Sequence, residues 1–333
     1  MQELSAPLLW QMQQWNYLHG RLQNNDLPHA LLFTGTKGLG KRLFALAFIK
    51  ALFCTQRTTT AHACNQCRSC QLLAAQSHPD FYLIEPEEEG KALRIDQIRE
   101  LILQLNQTAK LGLHKVVLLT PAEAMPVGAA NALLKTLEEP SANTIFILLA
   151  DQPSLLPATI RSRCQSVTFH TPAPAITKQW LQENLPKKAD LDLLVALAEG
   201  APLQALVLAD EQYLKQRKKF FHELIALSEQ DYDPVQMAAN WLKHSNKEII
   251  AWLASIITDI IKLKASLEIS NSDFRDVLKR IAISVAPKFL FKYLDQLNEA
   301  QQQIRLSNPN QQLLLENLFE AWYAGIHHTA VKR

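Results

Sequence analysis

The chain has no long apolar run, no excess of one charge and no leader-like start, and each absence removes a class of protein. No stretch of its 333 residues approaches the roughly 18 consecutive apolar residues that a bilayer-spanning helix needs. The opening Met1-Gln2-Glu3-Leu4-Ser5 lacks the basic-then-apolar order of a secretory leader, so a cytoplasmic address is the expectation. A net charge of +2 is too balanced for a protein that clings to nucleic acid by bulk electrostatics. What remains, with 48% hydrophobic and 20% charged residues, has the composition of ordinary folded domains, and the length allows two or three of them.

Two local absences bear on chemistry. Gly35-Thr36-Lys37-Gly38-Leu39-Gly40-Lys41-Arg42 nearly matches the phosphate-binding pattern G-x-x-x-x-G-K-[S/T], with Gly35, Gly40 and Lys41 in place. In that pattern the glycines let backbone N–H groups curl around phosphates, the lysine meets the terminal phosphates, and the hydroxyl holds Mg²⁺. Its context is right: a strand-like Ala30-Leu31-Leu32-Phe33 precedes it and a helix-forming stretch from Leu43 to Phe53 follows. But Arg42 stands where the hydroxyl belongs, and its guanidinium is an alternative occupant of the phosphate position. The second absence is an acid. ATPases of this kind end a buried strand in a carboxylate that holds the metal. Lys115-Val116-Val117-Leu118-Leu119 is such a strand, yet Thr120-Pro121 follows, and Glu123 comes too late. Two missing metal positions predict a nucleotide-type fold without hydrolysis.

Cysteine is present where it counts. Cys54, Cys64, Cys67 and Cys70 are spaced C-x9-C-x2-C-x2-C. Overlapping C-x-x-C elements bend the backbone so that successive thiolates face one centre, which predicts a structural Cys₄ Zn²⁺ site with no vacancy for water. An iron–sulfur cluster is the rival, although the nine-residue gap fits its fourth ligand poorly. His62 and His78 flank the cluster, either as substitute ligands or, preferably, as surface histidines.

Up to about residue 169 the pattern alternates helix and strand. Phe81–Ile84, Thr144–Leu149 and Gln165–Phe169 read as further strands. Ile95, Ile98, Leu101, Ile102 and Leu105 recur at helical spacing behind Asp96 as an N-cap, and a helix from Gly128 to Glu138 stops at Pro140. Alternation with buried apolar strands predicts a parallel sheet covered on both faces. His170–Pro174 reads as a linker. Beyond it come short helices broken at Pro186 and at Gly200-Ala201-Pro202, and from Glu211 about six amphipathic helices. Trp241, Trp252 and Trp322 read as helix-packing core, and Lys215-Gln216-Arg217-Lys218-Lys219 as a solvated face rather than a nucleic-acid contact.

The segment Asn131-Ala132-Leu133-Leu134-Lys135-Thr136-Leu137-Glu138-Glu139-Pro140, followed by Ile160-Arg161-Ser162-Arg163-Cys164, resembles bacterial clamp-loader subunits. Those are AAA+ proteins that open a ring-shaped sliding clamp and place it on primed DNA. The cysteine cluster behind the P-loop helix resembles their zinc module. The resemblance implies an α/β, AAA+ parallel-sheet domain with its zinc module over residues 1–169, a small helical lid over 170–210 and an all-α collar over 211–333. It implies gamma/tau and delta subunits as partners, with the beta clamp and primed DNA met through the complex. Nucleotidyl transfer would belong to the polymerase holoenzyme as a whole. Ser162-Arg163-Cys164 matches the family's SRC motif, whose arginine reaches the γ-phosphate of ATP bound by a neighbour, while Arg161 reads as a surface residue and Cys164 as a small packed one. Two sensor positions are degraded: Ala150-Asp151 offers no threonine and Gly200-Ala201-Pro202-Leu203 no arginine. The expectation is a non-hydrolysing stator that supplies Arg163 in trans. Its competitors are an active AAA+ ATPase, which turnover by the isolated chain would reveal, and a zinc-dependent DNA-binding or repair protein, which salt-dependent binding to primed DNA would reveal.

Overall fold

The computed structural model describes residues 6–57, 62–88, 90–111, 114–229, 232–306 and 309–330; the opening Met1–Ser5, on which the cytoplasmic expectation rests, lies outside them. The chain divides into two compact units, Met1–Ile176 and Thr177–Arg333. In the first, α1 (Met12–Gln23), β1 (Ala30–Thr34), α2 (Lys41–Phe53), α3 (Arg68–Ala74), β2 (Phe81–Ile84), α4 (Ile95–Leu105), β3 (Lys115–Leu119), α5 (Val127–Glu138), β4 (Thr144–Ala150), α6 (Ala158–Arg161) and β5 (Gln165–Thr168) follow in order. All five strands are parallel, in the order β2-β3-β4-β1-β5.

Every residue of β1, β3 and β4 is buried, as a doubly covered sheet requires. Alternate side chains then serve opposite faces. Leu32, Val117, Leu119, Phe146 and Leu148 pack with Ile98, Leu101, Leu133, Leu137 and Ile160 from α4, α5 and α6. On the other face Phe33 meets Phe44 of α2 edge-on at 5.5 Å, and Trp15 of α1 meets Phe44 at 5.6 Å. Two expectations shift at element ends. Asp96 is not the N-cap of α4: Arg94 is, its N–H donating to Gln97 Oε1 at 2.9 Å. Pro174 is the first residue of α7 rather than linker, its fixed φ suiting a first helical position.

The second unit is helical: α7 (Pro174–Asn184), whose first three residues still belong to the first unit, is followed by α8 (Leu191–Leu197), α9 (Pro202–Leu208), α10 (Glu211–Ser228), α11 (Pro234–Trp241), α12 (Asn246–Lys264), α13 (Arg275–Ser284), α14 (Pro287–Leu306) and α15 (Gln311–Ala330). Asp190, Asp210 and Asp233 cap α8, α10 and α11 by accepting from backbone N–H groups. Leu181, Leu194, Ala198 and Ala205 form a small core of their own. A larger one is built from α10 to α15 around Phe220, Trp241, Trp252, Phe319 and Trp322. All three tryptophans are core, in keeping with their spacing. The basic run is not wholly solvated. Arg217 is 1% exposed, pairs with Asp273 at 2.8 Å, donates to Asn271 Oδ1 and lies over the Phe221 ring. It falls in the core because Phe220, Phe221 and Leu224 follow at i+3, i+4 and i+7.

Candidate functional site

The P-loop leaves the C-terminal end of β1, where parallel α/β sheets keep their ligand crevice. Pairing brings Thr34 level with Ala150 on one side and Thr168 on the other, so Gly35 emerges between Asp151 and Phe169. Gly35 has φ +143°, and a Cβ there would meet the Phe169 carbonyl oxygen at 2.4 Å. Gly40, at φ +84°, turns the chain into α2 from the left-handed region. Behind the loop, Trp10 Nε1 and Gln11 Nε2 both donate to the Leu39 carbonyl, at 3.0 and 2.9 Å.

Lys41 is 5% exposed, and its ammonium has three donors. They go to Gly35 O at 2.5 Å, Thr36 O at 2.9 Å and Asp151 Oδ1 at 2.6 Å. Asp151 therefore stands against the group that a phosphate would meet. Arg42 does not fill the phosphate position: it turns to Glu85, at the end of β2, with 2.7 Å between Nη1 and Oε2. That pair is half exposed and contributes little to stability. Glu123 is engaged elsewhere, its Oε1 accepting from the backbone N–H of Asp151 and Gln152 at 2.8 and 3.0 Å. It fixes the turn that presents Asp151. Sequence reading singles out Lys41 but not its carboxylate partner; the pairing of β1 with β4 is the signal that could have found it.

The second cluster is the cysteine module. Cys54 ends α2, Cys67 caps α3, and Cys70 lies in the first turn of α3. The four sulfurs lie within 4.8 Å of one another. Four Zn–S bonds of about 2.3 Å at tetrahedral angles put sulfurs about 3.8 Å apart, so a single ion needs only a small contraction. A multinuclear cluster must interpose several metals and sulfides and needs wider spacing. The environment already separates the thiols. Backbone amides of Gln66 and Cys67 donate to the Cys64 sulfur and lower its pKa. Burial raises that of Cys67, but hydrogen bonds from the backbone of Cys70 and Thr55 carry it down to about 6. Burial pushes Cys54 and Cys70 up. The set fits a divalent, thiophilic ion. Neither histidine joins the group. His62 stacks on Trp15 at 5.2 Å. His78 is not a surface residue either: it is 4% exposed, lies 4.1 Å from the Phe53 ring, and accepts at Nδ1 from the Asp80 N–H.

The third feature is Ser162-Arg163-Cys164, on the turn between α6 and β5. Arg161 is exposed; Arg163 is 31% exposed and pairs with Glu138, the last residue of α5. Cys164 packs against the core under α5 and α6, and burial lifts its pKa to about 11. It is an inert thiol at neutral pH.

A five-stranded parallel sheet with a P-loop after β1, a cysteine module behind α2 and an all-helical C-terminal region define an AAA+ protein of the clamp-loader class. Sequence comparison narrows this. Residues 10–173 match the family model for "DNA polymerase III, delta subunit", and residues 211–323 that for "DNA polymerase III, delta subunit, C terminal". DNA polymerase III subunit delta' of Pseudomonas aeruginosa is 37% identical over 319 residues, covering 94% of this chain and 96% of the relative. The Escherichia coli subunit delta' is 33% identical, covering 87% of each. Subunit tau of Bacillus subtilis is 31% identical over 58% of this chain and 35% of its own length. The chain belongs to the delta' subunit family of DNA polymerase III. Among the described residues, no single helix is long and apolar enough to cross a membrane.

Proposed function

We propose that this chain is a non-hydrolysing stator of a cytoplasmic clamp loader, which supplies Arg163 in trans to an ATP-hydrolysing neighbour. The neighbours would be gamma/tau and delta, and the complex would act on the beta clamp and primed DNA. Residues 1–169 would form the AAA+ domain, 170–210 its lid and 211–333 the collar through which the subunits assemble.

One observation carries the non-hydrolysing half of this reading: all three donors of Lys41 are taken by oxygens of the chain itself. The metal side is equally occupied, with Arg42 on Glu85 in place of a hydroxyl and Glu123 on backbone amides. Gly35, Gly40 and Lys41 then serve as a folded loop rather than a working nucleotide site. The Cys₄ set would hold one structural Zn²⁺, tying the end of α2 to α3; it supplies no chemistry to ATP.

The direct test is Mg·ATP turnover by the isolated chain. We expect none above background. Steady turnover that disappears in Lys41→Ala would replace the stator by the active-ATPase reading.

A further inference from the structure

The SRC arginine is not a loose side chain, and the way it is held carries an inference that rests on the reading of Arg163 as a finger. A guanidinium has five N–H donors arranged around three edges. On Arg163 the Nε donates to Glu138 Oε1 at 2.7 Å, and Nη2 donates to the same oxygen. On the opposite flank Nη1 donates to the Thr159 carbonyl at 2.9 Å, with Ser162 Oγ at a marginal 3.4 Å. The inner Nε–Nη2 edge and one flank are thus fixed by the chain itself, by the end of α5 and by α6. Among the described residues no acceptor bridges the outer Nη1–Nη2 edge. That edge carries a parallel pair of N–H donors and can receive two oxygens of a phosphate side by side.

We propose that Glu138 is a positioning residue: it holds the Arg163 guanidinium by its inner edge so that the outer edge is presented, already oriented, to the γ-phosphate in the neighbouring subunit. An arginine otherwise brings four free side-chain torsions to the interface, and ordering them opposes the contact. Two anchors from different elements remove most of that freedom in advance. Both Arg163 contacts with Glu138 go to one oxygen, Oε1, so an amide oxygen placed at that point could accept both. Glu138 is also 49% exposed, which keeps the pair weak enough for small adjustments when a phosphate arrives. The opposite arrangement, in which Glu138 sequesters Arg163 until it is released, predicts the reverse response to removing the carboxylate.

The test uses the reconstituted complex, with ATP hydrolysis stimulated by clamp and primed DNA. The rate lost on Arg163→Ala defines the arginine-dependent share. Glu138→Ala is expected to remove most of that share through kcat, leaving KM for ATP, assembly and thermal midpoint unchanged. Glu138→Gln, which keeps an oxygen where Oε1 stands, is expected to restore most of it. In the Arg163→Ala background Glu138→Ala should cost nothing more. Glu138→Leu, of similar size and without an acceptor, repeats the test should the alanine variant assemble poorly. If Glu138→Ala keeps the full rate or raises it, or still lowers it without Arg163, the positioning role is wrong while the finger stands. If Arg163→Ala itself changes nothing, the finger reading fails, and this inference fails with it.

Discussion

Arg163 and Arg161 sit two positions apart, yet among the described residues only Arg163 has side-chain anchors. Arg163 is tied to Glu138 and Thr159 O, whereas Arg161 is exposed on the same turn. Arg163→Ala should therefore leave folding, metal content and assembly intact while sharply reducing the ATPase of the complex. Arginine fingers contribute on the order of 10³–10⁵ in rate, an effect that several ATPase sites per complex would dilute. Arg163→Lys should rescue poorly, because a point charge on a flexible stem reproduces neither the two contacts to Glu138 nor the outer edge. Arg161→Ala, measured beside it, should be mild. Arg217 makes a different case. Its side chain is buried among Asp273, Asn271 and two phenylalanine rings, so Arg217→Ala leaves a carboxylate without its partner inside the helical core. Breaking a buried pair in this way costs about 3–5 kcal/mol, and urea unfolding should show it in the second unit. The charge run hides that role in the sequence; the apolar residues three, four and seven positions on are the clue.

Among the elements, those with strong periodicity are legible in the sequence alone. β1, β3 and β4 are apolar runs between helical stretches, polar only at Thr34, Lys115 and Thr144 on their ends, and α4 and α5 repeat at helical spacing, so their positions and the parallel arrangement follow from pattern. Their ends are less legible. Asp96 loses the N-cap of α4 to Arg94, because the backbone N–H there is satisfied by Gln97 instead. The P-loop is legible as a motif but not as a closed site, since Asp151 and Glu85 reach it through strand pairing that no local spacing encodes. The cysteine module is legible to the residue: the same four that the spacing selects lie within 4.8 Å. Elemental analysis of the purified chain should find one zinc per chain, and iron with visible charge-transfer absorption would refute the assignment. Replacing one cysteine of the cluster, as in Cys67→Ser, should make the segment between α2 and β2 protease-sensitive and leave the helical unit folded, because a metal held there would support only its own module.

At the scale of the whole molecule, each compact unit has its own core, and in the first unit a buried histidine, His78, and a half-buried one, His114, set an acid limit. Burial lowers the pKa of His78, and burial together with Arg57 lowers that of His114. In the unfolded chain both return to about 6.5, so there the unfolded state binds more protons. Their contribution to stability is complete above that value and is lost as pH falls below it toward the folded-state pKa. The thermal midpoint of the first unit should decline over that window. His78→Asn, whose amide oxygen can accept from Asp80 N–H as Nδ1 does, should flatten part of the decline. An unchanged slope would exclude His78 as a source.

The closure around Lys41 bears on more than the proposed lack of hydrolysis. A working P-loop is incomplete until a phosphate enters it, so its subunit is stabilised by every rise in free nucleotide and relaxes when product leaves. Here Asp151 and two carbonyls complete the loop from within, and Glu123 and Leu39 are held from either side. The melting temperature of this chain should be the same with and without millimolar Mg·ATP. In a ring whose other members tighten and loosen with the nucleotide they hold, one subunit would then keep a constant shape through every turnover. It would be the fixed wall against which their motion becomes work on the clamp.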